Sequence, residues 1–196
     1  MAYPSRMAIE AEWTAERVHA LPEDGKRYEV LDGELVVTPA PAWGHQWVLK
    51  RLFRLIDDYV QLHRLGEAYF APADIEFSPR RLLQPDLFVV PPTPDGKRAN
   101  AWGEVRRLLL AVEVLSPSTA RVDRVRKRAI YLEEGVPEYW IVDPDARCVE
   151  RWRSGDVRPE VLDERLVWAP GEGVEPLEIE LGALFEEALK YGTSTR

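Results

Sequence analysis

The sequence predicts an α/β protein built on a mixed sheet, and three observations carry that prediction. Residues 108–115, 120–134 and 138–143 read as apolar strand, amphipathic helix and apolar strand. A crossover of that length joins parallel neighbours. Residues 28–37 place two β-prone runs around Asp32-Gly33, a pair that tolerates the positive φ of a tight antiparallel turn. Residues 44–65 repeat Trp47, Val48, Arg51, Leu52, Leu55, Ile56, Tyr59 and Leu62 at helical spacing, with only Arg51 polar. Helices on a sheet with both pairing senses follow.

The remaining elements fit between these. Thr14 can cap a short helix ending near Leu21-Pro22. A loop with Pro39 and Pro41 leads to the long helix, which Gly66 is expected to end. Residues 67–77 are expected to be extended, with Ala73, Ile75 and Phe77 alternating against Asp74 and Glu76. PDLFVV at 85–90 reads as a short buried strand, and 91–104 as a loop rich in Pro, Asp, Gly and Asn. Ser116-Pro117 stops the next strand, and Ser118 or Thr119 can cap the helix after it. That helix is expected to bury Val122, Val125, Ala129 and Leu132, and Gly135 closes it. Asp143-Pro144-Asp145 turns the following strand back into 148–153, and a β segment and a helix near 182–190 finish the chain.

Composition narrows the function. The 196 residues suffice for one domain, 1–196, with a real core. No apolar run approaches a membrane span, and MAYPSRMAIEAEW lacks the apolar middle of a signal peptide, so a cytoplasmic protein without membrane association is expected. Cys148 is the single cysteine, which excludes an internal disulfide and a cysteine-based zinc site. The net charge of −8 argues against a nonspecific nucleic-acid coat. Yet RVDRVRKR at 121–128 concentrates five basic side chains against one acid.

Two carboxylates stand out by position. Glu113 lies inside LLLAVEVL, with apolar residues on both faces, and Asp86 opens the apolar run after Pro85. Burying an unpaired carboxylate is costly. If the two strands are neighbours, the acids converge, repel and raise each other's pKa, and a hard divalent cation such as Mg²⁺ or Mn²⁺ relieves both problems. The alternatives are a loop-end acid for Asp86 and a buried arginine pair for Glu113. Phosphodiester cleavage also calls for a cation near the phosphate. Lys127 shares a helix face with Asp123 and Tyr131, turned away from the apolar stripe. On spacing alone, a surface Asp–Lys pair is the commoner arrangement.

With these residues in view, the sequence resembles the bacterial restriction-endonuclease-like family within the PD-(D/E)XK nuclease superfamily. The resemblance rests on RYEVLDGEL (27–35), the His45 helix start, QPDLFVV (84–90), AVEVLSPST (111–119), DRVRKRAIY (123–131) and GVPEYWIVDPD (135–145). It implies a restriction endonuclease-like αβββαβ core, here with an extra N-terminal hairpin and a C-terminal β segment. It also implies metal-dependent phosphodiester hydrolysis, with Asp86, Glu113 and the Val114 backbone carbonyl holding Mg²⁺ or Mn²⁺. The superfamily's lysine sits two residues after the glutamate, where this chain has Leu115. The resemblance therefore points to Lys127, on the next helix, as the catalytic lysine. His45, Glu29, Glu34, Asp74 and Asp123 are candidates to support the site, though each is also readable as a capping or solvated residue. Arg121, Arg124 and Arg128 are candidates to hold a nucleic-acid backbone; the alternative is a salt-bridged helix surface.

The expected activity is a DNA endonuclease. Leu115 keeps open a second reading, a nuclease-fold module that binds nucleic acid or protein without cutting. Seven tryptophans leave scope for an apolar interface, so a homo-oligomer is expected.

Overall fold

The computed structural model describes residues 12–38, 43–93, 95–96 and 101–192, with side chains as far as 186. Pro39, Pro41 and residues 94 and 97–100 of the loop expected at 91–104 lie outside the described residues. In chain order the elements are α1 (Ala15–His19), β1 (Arg27–Leu31), β2 (Glu34–Thr38), α2 (Trp43–His63), β3 (Glu67–Phe70), β4 (Ile75–Ser78), β5 (Arg81–Leu83) and β6 (Leu87–Val90). After a 3₁₀ turn (Trp102–Glu104) come β7 (Leu110–Val114), a π-helical stretch (Val122–Lys127), α3 (Arg128–Glu133) and β8 (Glu138–Asp143). The chain continues through β9 (Cys148–Arg153), β10 (Glu160–Leu162), β11 (Arg165–Trp168), β12 (Leu177–Glu180) and α4 (Leu181–Gly192).

The central sheet has the order β10-β9-β8-β7-β6-β3. As the crossover requires, β7 and β8 are parallel, while β6–β7 and β8–β9 are antiparallel. A second sheet, β2-β1-β5-β4, contains the expected hairpin. Asp32 and Gly33 take φ of 52° and 86°, the positive pair that this turn needs.

One face of the central sheet packs on α2, α4 and the β11–β12 ribbon, through Val48, Leu52, Ile56, Val112, Trp140, Trp168 and Phe185 among others. The other face meets α3 and the β1 sheet, through Leu31, Leu83, Phe88, Ala111, Tyr131 and Ile141. α1 covers the far side of the second sheet with Ala15 and Val18, and Thr14 caps it by accepting the Arg17 N–H at 3.3 Å.

The structure corrects several local expectations. Arg64, at φ 54°, takes the left-handed position that ends α2, and the Leu65 N–H reaches back to the Val60 carbonyl at 3.0 Å. Gly66 serves a different need, since a Cβ there would collide with the Val90 carbonyl as β3 enters the sheet. Leu62 is exposed, while Leu49 and Val60 complete the buried stripe of α2. Residues 67–77 split between two sheets, and β4–β5 is a hairpin the alternation did not disclose. Ser116 starts the turn after β7 through its backbone carbonyl, which accepts from Thr119 and Ala120.

The largest correction concerns the helix after β7. Val125 is 54% exposed, and the buried residues are Asp123, Lys127, Ile130 and Tyr131. Within this wide, π-helical turn the Arg128 N–H bonds the Asp123 carbonyl, five residues back. The buried residues share one helix face, the charged one, while Val122 and Leu132 of the expected stripe pack at its flank. Tyr139 steadies the wide turn by donating to the same carbonyl at 3.1 Å.

Candidate active site

Leu87 pairs with Val112 across β6 and β7, and one further step of that register sets Asp86 opposite Glu113. Directly opposed residues share a sheet face. Both acids therefore project toward α3, on the side where Phe88 and Ala111 are buried. Asp86 is 4% exposed and Glu113 2%. Glu29 comes from the other sheet, on the same face of β1 as Leu31, and is completely buried. The wide turn brings Asp123 and Lys127 down from above.

Lys127 is the centre of this group. Its Nζ lies 2.9 Å from Glu29 Oε1, 3.0 Å from Glu113 Oε1 and 3.6 Å from Asp123 Oδ1. Tyr131 donates to Glu113 Oε1 at 3.0 Å. The Gln84 N–H donates to Glu29 Oε1 at 2.8 Å. Asp86 has a separate set of partners. Arg27 Nη1 donates to Oδ1 at 2.9 Å, while His45 Nε2 and the Val114 N–H lie 2.9 Å from Oδ2. Arg27 also donates to the side chain and carbonyl of Gln84, so one guanidinium clamps the whole 84–86 segment.

These surroundings drive the two acids apart. Burial pushes the Glu113 carboxyl well above its usual range; Lys127 opposes the rise, and Asp86, Asp123 and Glu29 add to it. Burial also works to raise Asp86, but the His45 hydrogen bond and the charges of His45, Arg27 and Lys127 hold it below the ordinary value. Asp123 is raised, chiefly by burial. Burial disfavours the Lys127 ammonium, yet Glu113, Glu29, Asp123 and Asp86 together hold it charged beyond the ordinary lysine range. A pocket of about 330 Å³ opens beside Asp86, lined in part by Lys26, Arg27, His45, Ala71, Pro72 and Gln84.

Of the residues singled out in the sequence, Asp86, Glu113, Lys127, Glu29, Asp123 and His45 come together here. Asp74 lies one bond further out, accepting from Gln84 Nε2 at 2.7 Å. Glu34 is outside the group, exposed and paired with Arg126 at 3.2 Å. Arg124 bonds Asp143 and Glu150, Arg128 stacks over Trp152, and Arg121 is exposed. Leu115, where the resemblance leads one to look for a lysine, is half-buried and packs against the apolar residues of the Glu113 face. Arg27 and Gln84 escaped the sequence reading. Arginine at a strand start and glutamine before proline look like solvated residues, and only the pairing of β1 with β5 brings both to Asp86. Among the described residues, no three His, Cys, Asp or Glu side chains are grouped so as to hold a metal by themselves.

Acids on two adjacent central strands, a lysine over them and a parallel crossover helix define a restriction-endonuclease-like α/β fold. The family described as Uma2, putative restriction endonuclease, matches residues 15–182, and the chain belongs to it. The chain is also similar to the crystal structure of a putative nuclease belonging to DUF820 from Anabaena variabilis ATCC 29413. That likeness has a TM-score of 0.73 at 21% identity, covering 89% of this chain and 98% of the other. No curated protein matches it. No helix among the described residues is long and apolar enough to cross a membrane.

Proposed function

We propose that the chain is a Mg²⁺- or Mn²⁺-dependent endonuclease that hydrolyses phosphodiester bonds in DNA. The observation that carries this reading is the position of Lys127 Nζ, 3.0 Å from the glutamate whose strand ends in Leu115. The lysine charge is supplied from the helix in place of the strand. Asp86, Glu113 and the Val114 carbonyl would hold the ion. The donors suit it: hard oxygens from two opposed strands, in a group where, among the described residues, four carboxylates (Glu29, Asp86, Glu113, Asp123) face Lys127 and Arg27 as permanent cations. When bound, the ion supplies Lewis acidity toward the phosphodiester.

The chain's own residues do the rest. Arg27, His45 and the Val114 N–H keep Asp86 ionised and fixed. Tyr131 orients Glu113. Lys127 offers a preorganised positive charge to the phosphate in a water-poor site. Exposed Arg121, with Arg124 and Arg128 beside it, would follow the nucleic-acid backbone. A homo-oligomer would present two such sites to the two strands of a duplex, which light scattering would read directly.

The test is nicking of supercoiled plasmid in Mn²⁺, run beside an RNA substrate. Wild type should cut DNA, and Glu113→Ala and Lys127→Ala should not. Leu115→Lys added to Lys127→Ala should recover part of the cleavage, because Leu115 shares the Glu113 face. Equal cleavage by wild type and Glu113→Ala would refute the assignment. A non-cutting binding module is the second reading, favoured by one observation: both Asp86 oxygens already have protein partners. It requires that calorimetric titration with Mn²⁺ give no heat that Asp86→Asn abolishes.

A further inference from the structure

We infer that Glu29 is a positioning residue for the reaction, holding Lys127 in register with the segment that carries Asp86. The inference rests on the nuclease reading above and extends it to the second sheet. Glu29 Oε1 receives two bonds at once, from Lys127 Nζ at 2.9 Å and from the Gln84 N–H at 2.8 Å. Gln84 lies two residues before Asp86, so a single oxygen ties the helix lysine to the strand of the other acid. Glu113 alone cannot do this, since it fixes Lys127 only to β7. The lysine of an ordinary strand position is located by its own backbone. A lysine reaching from a helix needs an external reference, and Glu29 provides it.

The residue's cost points the same way. Glu29 is 0% exposed, and its Oε2 is buried without a hydrogen-bond partner. A buried, half-satisfied carboxylate among three other acids works against stability. Arg27, two residues earlier on β1, clamps Gln84 and Asp86 from the same strand. The N-terminal hairpin is thus part of the active centre, reaching it through both residues.

Glu29→Gln keeps the size and removes the charge, and Glu29→Asp keeps the charge and shortens the reach. Both variants would be assayed for Mn²⁺-dependent plasmid cleavage, Mn²⁺ binding by calorimetry, thermal unfolding, and the ¹⁵N signal of the Lys127 ammonium. We expect Glu29→Gln to lose about 10–100-fold in kcat, the scale of a misplaced catalytic group, with KM for DNA and the Mn²⁺ heat unchanged. Its melting temperature should hold or rise, and the Lys127 signal should broaden or vanish. Glu29→Asp should recover part of the rate. Wild-type turnover in Glu29→Gln, or a rate loss matched by a fall in melting temperature, would overturn the inference. So would loss of the Mn²⁺ heat, which would make Glu29 a metal ligand. The parent reading fails separately: a wild-type protein that leaves the plasmid uncut in Mn²⁺, or a Glu113→Ala that cuts as well as wild type, refutes the nuclease assignment, whereas an inactive Lys127→Ala with a fully active Glu29→Gln refutes only the role of Glu29.

Discussion

The two faces of the central sheet use burial in opposite ways. On the α2 side, Val48, Leu52, Ile56, Val112, Trp140 and Phe185 form a continuous apolar core. On the α3 side, equally deep positions hold Glu113, Asp86, Lys127 and Asp123 beside Tyr131 and Tyr139. The first face contributes stability through area removed from water. The second spends some of it, because charges taken out of water recover their solvation only through good geometry. The contrast teaches that one face acts as a rigid back-plate and the other as an electrostatic device mounted on it.

The strongest way to break this division is Lys127→Met. It leaves three buried acids without their shared cation and should cost about 3–5 kcal/mol at pH 7 in urea unfolding. The loss should shrink as pH falls. Glu113 already has a raised folded pKa, so protonation favours the folded state, and its penalty at neutral pH fades as pH drops toward the ordinary 4.5. A pH-independent loss would show that the acids are not the cause.

Leu52→Ala probes the other face. The side chain is fully buried, and its truncation should cost about 2–5 kcal/mol. That cost should not vary with pH, and cleavage per folded molecule should be unchanged at temperatures below the transition.

Asp86→Asn sharpens the contrast within the charged face. Losing its charge-assisted bonds should cost about 1.5–3 kcal/mol at pH 7. Here the sign is reversed from that of Glu113. The folded carboxyl is held below its ordinary value of 3.8, so its contribution is full above that value and lost as pH falls through the folded one. The stability difference between variant and wild type should therefore close in acid, where unfolding curves at pH 7 and below pH 3.8 can be compared.

Much of this arrangement was legible in the sequence. The crossover, the Asp-Gly hairpin and the central strands follow from period and turn chemistry. Asp86 and Glu113 could be read because a charge in an apolar run is conspicuous. The face of the helix after β7 could not, since an apolar stripe and a charged face compete there, and only the acids of the strands beneath draw Asp123 and Lys127 inward. Glu29 was equally opaque as a buried group. Alternation along β1 implies one wet face, but the second sheet is covered on both sides, by α1 and by the central sheet.

The wide turn also has a genetic consequence. Val125, at its solvent side, is exposed, so losing that one codon would remove little buried area. A helix returned to ordinary winding would close the wide turn and leave the residues on either side facing as they do, because the turn holds one residue more than an α-turn. Asp123 and Lys127 would then stand three apart and still share one helix face. The smallest in-frame deletion at this locus would leave the sheets and the charged face in place, so the extra residue of the wide turn is one that this helix can gain or lose by a single codon.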